Sequence, residues 1–456
     1  MDHSQASTGP DPIKRPRVPA WSLFQIRDYR YLWSSAALNN TCMFMDVVVL
    51  ALLVLKLTDS AWWVALVGSL RFMPWLIFGI FAGLIADRVN RWRVMVASRS
   101  INVLVMIVLL VLLVTDWLQL WHLLITTLVL GWAFVTDVPS RHSFIYDLVG
   151  QQNVVRAMSL ETITFTIGTI VGPLMAGLLI EVADFTGAYL FLMSVYVLAV
   201  FTIIRVKSRI SRSSTGQQPL LQSFAGGLRY SLQNSTIRGV LIITLIMNFM
   251  GFSAMQMFPV VAKDHLEVGP GLTGILISAH GIGSLLGASL MVYIGATRYH
   301  GRIFALGSSL YLAGLLFFAL SPWYPLSFVM LMVVGLGTAG FGTMQSTIIL
   351  ISATPERRGM ALGVLGLCIG VGPLGMIQMG AVASLLNPQV AIGISAVTGL
   401  FLMVLVIMLT PLVWRPTATG TDSLESSEDS ATGSSVPELT QGDGGGGSPQ
   451  EGLPQA

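Results

Sequence analysis

The sequence predicts an all-α membrane protein in which twelve transmembrane helices form two six-helix pseudo-repeats. Its 456 residues are 54% hydrophobic and only 10% charged, whereas roughly a quarter of the residues in a soluble globular domain are charged. Apolar runs long enough to cross about 30 Å of hydrocarbon recur along the chain, six on each side of a polar connector. These observations exclude a soluble protein.

The apolar runs fix the expected organisation. The first six lie at about 31–57, 61–86, 94–115, 119–146, 156–181 and 187–206. The second six lie at about 238–262, 271–297, 302–320, 325–352, 358–386 and 390–413. We therefore expect five parts: a cytoplasmic N-terminal tail (1–29), a first bundle (30–206), a connector (207–237), a second bundle (238–413) and a disordered C-terminal tail (414–456). Leucines at roughly helical spacing in the connector predict an amphipathic helix at the membrane surface.

Positive charge predicts the orientation. Lys and Arg gather in the N-terminal tail, around 88–93, through 205–238 and at Arg357 and Arg358, whereas only Lys56 and Lys263 fall on the other side. The positive-inside rule then places both termini in the cytoplasm of a multi-pass plasma-membrane protein. The net charge of +3 is too small to indicate a nucleic-acid partner.

The two halves carry a repeated segment. Residues 156–160 (Arg-Ala-Met-Ser-Leu) lead into 171–174 (Val-Gly-Pro-Leu), and residues 358–362 (Arg-Gly-Met-Ala-Leu) lead into 371–374 (Val-Gly-Pro-Leu). The copies fall on the fifth and eleventh runs, which are equivalent positions in a six-plus-six duplication. Such parallel repeats relate the two halves of one large class of transporters.

A charged loop lies between the second and third runs. Residues 83–93 read Gly-Leu-Ile-Ala-Asp-Arg-Val-Asn-Arg-Trp-Arg, which resembles the Gly-x-Leu-Ala-Asp-Arg-x-Gly-Arg-Arg signature of the major facilitator superfamily. The resemblance implies a conformational gating loop of Gly83, Asp87, Arg88 and Arg91, in which the Asp87 carboxylate holds a neighbouring helix in one transport state. Asn90 stands where the signature has Gly, and we expect it to adopt the left-handed turn conformation that Asn tolerates.

The fifth run contains Gly168, Gly172, Pro173 and Gly177. This array is similar to the antiporter signature of the superfamily's exporters, with Ala176 replacing one glycine. Glycines four residues apart allow close helix contact, and the proline bends the helix, so the segment is expected to seal one side of a cavity. A purely structural kink is the alternative.

Further passages at 27–33, 57–60 and 139–141 resemble the branch that contains the enterobactin exporter and macrolide-efflux proteins. The resemblance covers roughly 22–413 and implies export of a drug, a siderophore or a similar compound in exchange for protons. The fourth run lacks the Arg-x-x-Gln-Gly pattern of many drug:proton antiporters, so coupling by that route is not implied.

Asp46 and Arg71 are ionisable residues inside apolar spans, where charge is costly and therefore points to function. Each lies about twelve residues from the turn at Asp59, so on consecutive antiparallel helices they reach the same depth. We predict a buried pair whose carboxylate is a proton-coupling candidate, with a static packing pair as the alternative. At least one of Asn39 and Asn40 is expected to face a central cavity.

The remaining polar candidates divide by position. Asp137, Glu161 and Glu181 are nearer helix ends, and an interfacial position is favoured over a proton-carrier role. His280 is either a proton site or a hydrogen-bonded packing residue. Asn248, Gln256, Gln345 and Gln378 are uncharged polar groups among Met, Phe and Leu, and a cavity of this composition suits an amphipathic organic substrate.

The expected function is secondary active export of a hydrophobic or amphipathic small molecule by proton antiport, from a monomer in the lipid bilayer. Uptake or facilitated transport, including lipid movement, is the alternative on the same fold. A membrane enzyme or scaffold is disfavoured because we find no catalytic constellation on the predicted helices, and Cys42 and Cys368 lie inside apolar runs. The sequence predicts no cofactor, no metal site and, since it has no Gly-Lys-Ser/Thr loop, no ATP-driven transport.

Replacing Asp87 with Asn should leave the protein inserted and folded but slow transport severely, because the carboxylate would stabilise a conformational state rather than bind substrate. Transport rates at matched membrane abundance measure this effect. Equal rates in Asp87→Asn and the parent would remove the basis for the gating assignment.

Overall fold

The computed structural model describes residues 20–88, 90–207, 220–294, 299–354 and 357–410, with the side chains of 20, 78–88, 220–225 and 294 outside that description. Every regular element in these ranges is helical. Ten helical stretches in the described part are long and apolar enough to cross a membrane. The predicted all-α membrane fold is confirmed.

The first-half helices are α1 to α5, preceded by a short 3₁₀ helix at Ala20–Gln25. Their bounds are α1 (Arg27–Thr58), α2 (Ala61–Arg88), α3 (Arg91–Val114), α4 (Leu120–Val149) and α5 (Val154–Ile204). Helix α5 is interrupted at Asp184, whose φ is 54°. The Tyr29 hydroxyl donates to the Ala157 carbonyl and the Ser35 hydroxyl to the Ala199 carbonyl, so both ends of α5 lie beside the start of α1 and the chain reverses at Asp184.

The connector helix and the second-half helices complete the chain. They are α6 (Leu220–Gln233), α7 (Ser235–Ile246), a π segment (Met247–Gly251), a 3₁₀ segment (Phe252–Met257), α8 (Phe258–Asp264), α9 (Pro270–Ile294), α10 (His300–Ala319), α11 (Tyr324–Ser352), α12 (Arg358–Gly370), α13 (Gly372–Leu385) and α14 (Pro388–Leu409). The ten candidate spans treat Ser235–Asp264 and Arg358–Leu385 as single crossings.

The count of twelve crossings stays a prediction. One of the ten spans is α5, which is 51 residues long and consists of two helices joined at Asp184. Helix α2 has 28 residues, but its described side chains end at Ile77. The apolar part Ala61–Ile77 is too short to be counted among the ten. Counting α5 as two crossings and α2 as one would give the expected number.

Glycines set the closest helix contacts in the fold. An added Cβ at Gly172 of α5 would lie 2.7 Å from the Met45 nitrogen of α1, and one at Gly177 would lie 2.9 Å from the Gly274 Cα of α9. On α9, a Cβ at Gly283 would overlap the Met332 carbonyl oxygen of α11. Since apolar side chains gain little by leaving lipid for protein, such backbone-to-backbone packing is a main source of helix association in membranes.

The two halves meet at the end of the molecule that carries the α1–α2 turn. There the Lys263 ammonium donates to Asp59 Oδ1 at 2.7 Å, and the Gly271 amide donates to Glu181 Oε2 at 2.7 Å. Hydrogen bonding to Lys263, together with its charge, lowers the pKa of Asp59. The Asp59 contact is therefore present at neutral pH and is lost only as the pH falls through that lowered value.

Asparagine side chains cap the N-terminal ends of three of the described helices. Asn234 Oδ1 accepts from the backbone amides of Thr236 and Ile237 at 3.1 Å, and Asn387 caps α14 in the same way. Asn90 caps α3, where its side chain accepts from the Arg93 amide, and its φ is −61°. The expected left-handed conformation at Asn90 is therefore wrong, because capping a helix requires extended backbone at this residue.

The connector contains the expected helix, α6. Its Gly227 lies against Met360 of α12, while Leu228 and Leu232 are exposed at 38% and 47%. The Tyr230 hydroxyl accepts from the Thr354 amide at 3.3 Å, which ties α6 to the end of α11. Helix α6 thus packs on the second-half helices and leaves an apolar edge uncovered.

Replacing Gly283 with Ala should destabilise the fold, because the new methyl group overlaps the Met332 carbonyl and overpacking costs about 1–3 kcal/mol. Gly342→Ala on α11 is the matched control, since an added Cβ there meets nothing within 4 Å. Thermal unfolding in detergent checks this difference. A Gly283→Ala protein as stable as Gly342→Ala would contradict the close α9–α11 crossing.

Candidate functional site

A central cavity of about 450 Å³ lies between the first-half and second-half helices. This volume is within the range of about 300–1,000 Å³ that is typical of small-molecule sites. Pro173 of α5, Ile277 of α9 and Pro373 of α13 all contribute to its wall. The proline of the antiporter-like array thus borders the cavity, in agreement with the position expected from the sequence.

Aromatic side chains are the largest group in the cavity wall, with eight of the 24 described lining residues. From the first-half helices it takes Phe44, Phe72, Trp75, Phe134 and Phe165. From the second half it takes Phe252, Phe258 and Phe341, together with methionines at 255 and 376. Several rings contact one another edge to face, as Phe44 and Phe165 do at a centroid distance of 4.9 Å. Aliphatic lining comes from Val, Ala and Ile rather than the expected Leu.

Three amide side chains are the polar part of the wall: Asn248, Gln256 and Gln345. Among the described lining residues none is Asp, Glu, Lys, Arg or His. The predicted contribution of these amides to the cavity agrees with the structure, whereas Gln378, the fourth amide considered, lies outside the lining. The cavity is therefore an uncharged aromatic chamber with a small polar patch.

A break in the helix that runs from Ser235 to Asp264 delivers two of the amides. The π segment carries Asn248 and the 3₁₀ segment carries Gln256, and Pro259 follows at the start of α8. Proline supplies no backbone N–H, so the regular ladder cannot run through this point. Departures of this kind are frequent at functional sites because they redirect side chains.

The predicted pair of Asp46 and Arg71 is formed, with Arg71 Nη1 donating to Asp46 Oδ2. Their side chains are only 1% and 5% exposed. Arg71 also borders a small void that Gln256 lines from the second half, and Gln256 packs on Gly68 one turn from Arg71. The pair is thus close to the central cavity without lining it.

A second buried charge network joins α3, α4 and α5. Arg141 Nε donates to Asp137 Oδ2 at 3.2 Å, Arg99 Nη2 lies 3.7 Å from Asp137 Oδ1, and Arg141 Nη1 is paired with Glu161 Oε1. Asp137 is 3% exposed and Glu161 8% exposed. The expectation that these carboxylates reach water or headgroups is therefore wrong, whereas Glu181 is exposed as expected.

Arg99 and Arg141 were missed as site residues. Neither is among the candidates drawn from the sequence, yet Arg141 is 4% exposed and Arg99 is completely buried. Two signals could have identified them: Arg99 lies within an apolar run, and Arg141 follows Asp137 by four residues, which places both on one helix face.

A small polar void connects the pair to the network. Its lining includes Arg71, Arg99, Asp137, Asn39 and Tyr196. Its volume of about 10 Å³ is close to the minimum for one water molecule. The two sets of buried charges therefore border a common polar space inside α1–α5.

Neither Asn39 nor Asn40 lines the central cavity, so that expectation is wrong. Asn39 Oδ1 accepts from Asn102 at 3.3 Å, and Asn40 donates to the Thr164 hydroxyl at 2.8 Å. Each amide therefore has a hydrogen-bond partner on a neighbouring helix and does not face the cavity.

His280 packs between α9 and α11. Its Nε2 lies 3.0 Å from the Thr338 hydroxyl, and its backbone carbonyl lies against Gly335. The packing alternative therefore describes its contacts. Gly168 and Gly172 likewise pack on α1, while Gly177 packs across the two halves on α9.

Of the gating loop, only Arg91 has a described side chain. Arg91 Nη1 donates to Asp147 Oδ2 near the end of α4. Gly83, Asp87 and Arg88 are in the last turns of α2, and their side chains lie outside the described residues. In the part of the chain that is described, no group of three His, Cys, Asp or Glu residues is placed to hold a metal ion.

Breaking the Asp46–Arg71 pair should be more costly than removing it. Asp46→Asn or Arg71→Ala alone leaves an uncompensated buried group and should cost about 3–5 kcal/mol, whereas the double variant should be milder. A double-mutant cycle on unfolding in detergent measures this coupling. The exposed pair of Lys56 and Asp184, 3.6 Å apart, is the control and should show little coupling. Additive losses at 46 and 71 would contradict the prediction.

The chain is similar in sequence to several bacterial transport proteins. Macrolide efflux protein A of Streptococcus pyogenes is 22% identical over 357 residues, which are 76% of this chain and 87% of that protein. The staphyloferrin A transporter of Staphylococcus aureus is 22% identical and covers 77% of this chain and 88% of its own length. The enterobactin exporter EntS of Shigella boydii is 23% identical over 73% of this chain and 82% of that protein.

Solved structures share the fold. A bacterial homolog of the human lysosomal transporter Spinster, inward-facing and unoccupied, superposes with a TM-score of 0.62 at 15% identity, over 86% of this chain and 95% of that one. Residues 18–431 match the family described as transmembrane secretion effector. The chain therefore belongs to this transporter family of the major facilitator superfamily.

Proposed function

We propose that this transporter exports a hydrophobic or amphipathic small molecule across the plasma membrane in exchange for protons. The observation that carries the proposal is the uncharged aromatic cavity of about 450 Å³ at the junction of the two halves. An apolar compound with a few polar groups fills such a wall at low desolvation cost. The efflux and siderophore-export functions named for the relatives support the same direction.

The contacts between the halves support an alternating-access mechanism. In it the two six-helix bundles (30–206 and 238–413) rock against each other, and the contacts at Asp59 and Lys263 and at Glu181 and Gly271 close one end. Opening this end breaks the exposed Asp59–Lys263 ion pair and the partly buried Gly271–Glu181 hydrogen bond, and it separates Gly177 from Gly274. The ion pair is a small part of this barrier, since an exposed pair contributes about 0–1 kcal/mol.

Proton coupling is assigned to the buried carboxylates, with Asp46 first. Three guanidinium groups (Arg71, Arg99, Arg141) are balanced there by three carboxylates (Asp46, Asp137, Glu161). A proton on Asp46 would leave Arg71 without its counter-charge in a medium of low dielectric. Arg71 would then seek another polar partner, and Gln256 borders the same small void while it also lines the central cavity. A move of Arg71 toward Gln256 would couple protonation to the shape of the cavity.

The direction of export rests on the charge asymmetry. Arg and Lys gather at the end opposite the α1–α2 turn, which supports a cytoplasmic position for both termini and an outside position for the Asp59 end. A proton entering from outside and a compound leaving the cytoplasm then use opposite openings of one cavity. The transporter acts as a monomer in the bilayer and needs no cofactor.

In inside-out vesicles with an acidic interior, the wild-type chain should accumulate compounds from an amphipathic panel, and Asp46→Asn should abolish the pH-driven part while retaining binding. Asp116→Asn is the matched control, because Asp116 is an exposed turn carboxylate whose positive φ Asn tolerates. Full pH-driven accumulation by Asp46→Asn would exclude the coupling role of Asp46. Accumulation that ignores the gradient in the wild type would favour facilitated transport or uptake instead.

A further inference from the structure

The amide patch of the cavity is oriented by one residue, Thr244 of α7. The Asn248 Nδ2 donates to the Thr244 backbone carbonyl at 2.9 Å, and the Gln345 Nε2 donates to the Thr244 hydroxyl at 2.8 Å. Thr244 is completely buried. A carbonyl oxygen only accepts, so the Asn248 amide must turn its nitrogen toward α7. One N–H of each amide is therefore occupied, and each amide keeps a second N–H.

The side-chain oxygens of Asn248 and Gln345 have no hydrogen-bond partner among the described residues. Asn248 and Gln345 are 8% and 6% exposed, and both line the cavity. Gln256, 7% exposed, lines the same cavity, and its amide likewise has no partner among the described residues. An amide oxygen that loses water to a bound ligand without gaining a donor is costly, so these oxygens select a ligand that supplies the missing hydrogen bonds.

The rest of the wall adds a charge preference. No described lining residue is cationic, so a bound anion would lose its hydration without gaining a counter-charge. Aromatic rings such as those of Phe252 and Phe341, which line the same cavity as the amides, attract positive charge through their faces. The chamber thus accepts a neutral or cationic group and disfavours a carboxylate.

We infer that the substrate is an amphiphile without net negative charge whose hydroxyl or amine N–H groups donate to a subsite formed by Asn248, Gln256 and Gln345. This inference rests on the proposed export function and narrows its substrate class. It favours donor-rich neutral or basic molecules over carboxylates. The hydrogen bonds select the compound, and the rings provide most of the contact area.

Three related dyes test the inference by fluorescence anisotropy on the purified full chain in detergent, with empty micelles subtracted. Rhodamine 6G is a cation with two N–H donors, rhodamine B ethyl ester is a cation without them, and rhodamine B adds a free carboxylate. Rhodamine 6G should bind about tenfold more tightly than rhodamine B ethyl ester, which corresponds to about 1.4 kcal/mol. Rhodamine B should bind more weakly than its ester.

Variants locate the effect. Asn248→Leu and Gln345→Leu should each weaken rhodamine 6G binding about tenfold and leave the affinity for the ester within about threefold. Gln378→Leu is the matched control, because this amide is on α13 outside the cavity lining and should change neither affinity. Binding needs no pH gradient, so a failure of proton coupling leaves these results unaffected.

The opposite outcomes overturn the inference. Binding of none of the dyes, tightest binding of rhodamine B, or equal losses for rhodamine 6G and the ester in both Leu variants would each exclude a donor-reading subsite. Tightest binding of rhodamine B would leave the export function standing while rejecting this substrate class.

Discussion

The balance of buried charge is the constraint on which the first-half helices depend. A lone guanidinium in a bilayer-spanning segment costs several kcal/mol, and three of them can be kept only if each has a carboxylate in contact. Asp46 joins α1 to Arg71 of α2, Asp137 of α4 pairs with Arg99 of α3, and Glu161 of α5 pairs with Arg141 of α4. These pairs fix the depth of each helix relative to its neighbours. A shift of any one of these helices by one turn, about 5.4 Å, would separate the pairs that it makes with its neighbours.

The buried charges and the amides of the cavity lie in different places. Among the described residues the buried ions lie on α1–α5, whereas the cavity amides belong to α11 and the broken helix between α7 and α8. Gln256 is the point where the two systems approach, since it borders both the cavity and the void beside Arg71. This separation lets the cavity stay uncharged while a titratable group remains within one side chain of it.

Hydropathy predicted most helix bounds to within a few residues, because the need to bury apolar length in lipid outweighs local preferences. The depth argument succeeded for Asp46 and Arg71 because both are measured from the same tight turn. The interfacial position expected for Asp137 and Glu161 is wrong because the distance of a residue from a helix end does not determine whether its side chain is buried. Neighbouring helices cover these residues, and no single-helix pattern reports which face they cover.

Two other features could not be derived from the sequence. Asn39 and Asn40 are satisfied by Asn102 and Thr164, partners on other helices whose facing depends on the whole packing. The break between Met247 and Met257 has a proline only at its far end, so hydropathy shows one continuous run. Backbone geometry of this kind is decided by tertiary contacts, such as the Tyr311 hydroxyl that donates to the Gly251 carbonyl.

The break between Met247 and Met257 makes one wall of the cavity easier to bend than the other. On one side, α1 is clamped against α5 through Gly168 and Gly172, and any bending would force backbone atoms into one another. On the other, the π and 3₁₀ turns already lack the regular ladder, so a further change of curvature there sacrifices few hydrogen bonds. The broken helix, which carries Asn248 and Gln256, can therefore change curvature at lower cost than α1, whose Phe44 also lines the cavity. Bending of this one helix would be the least costly way to change the outline of the cavity.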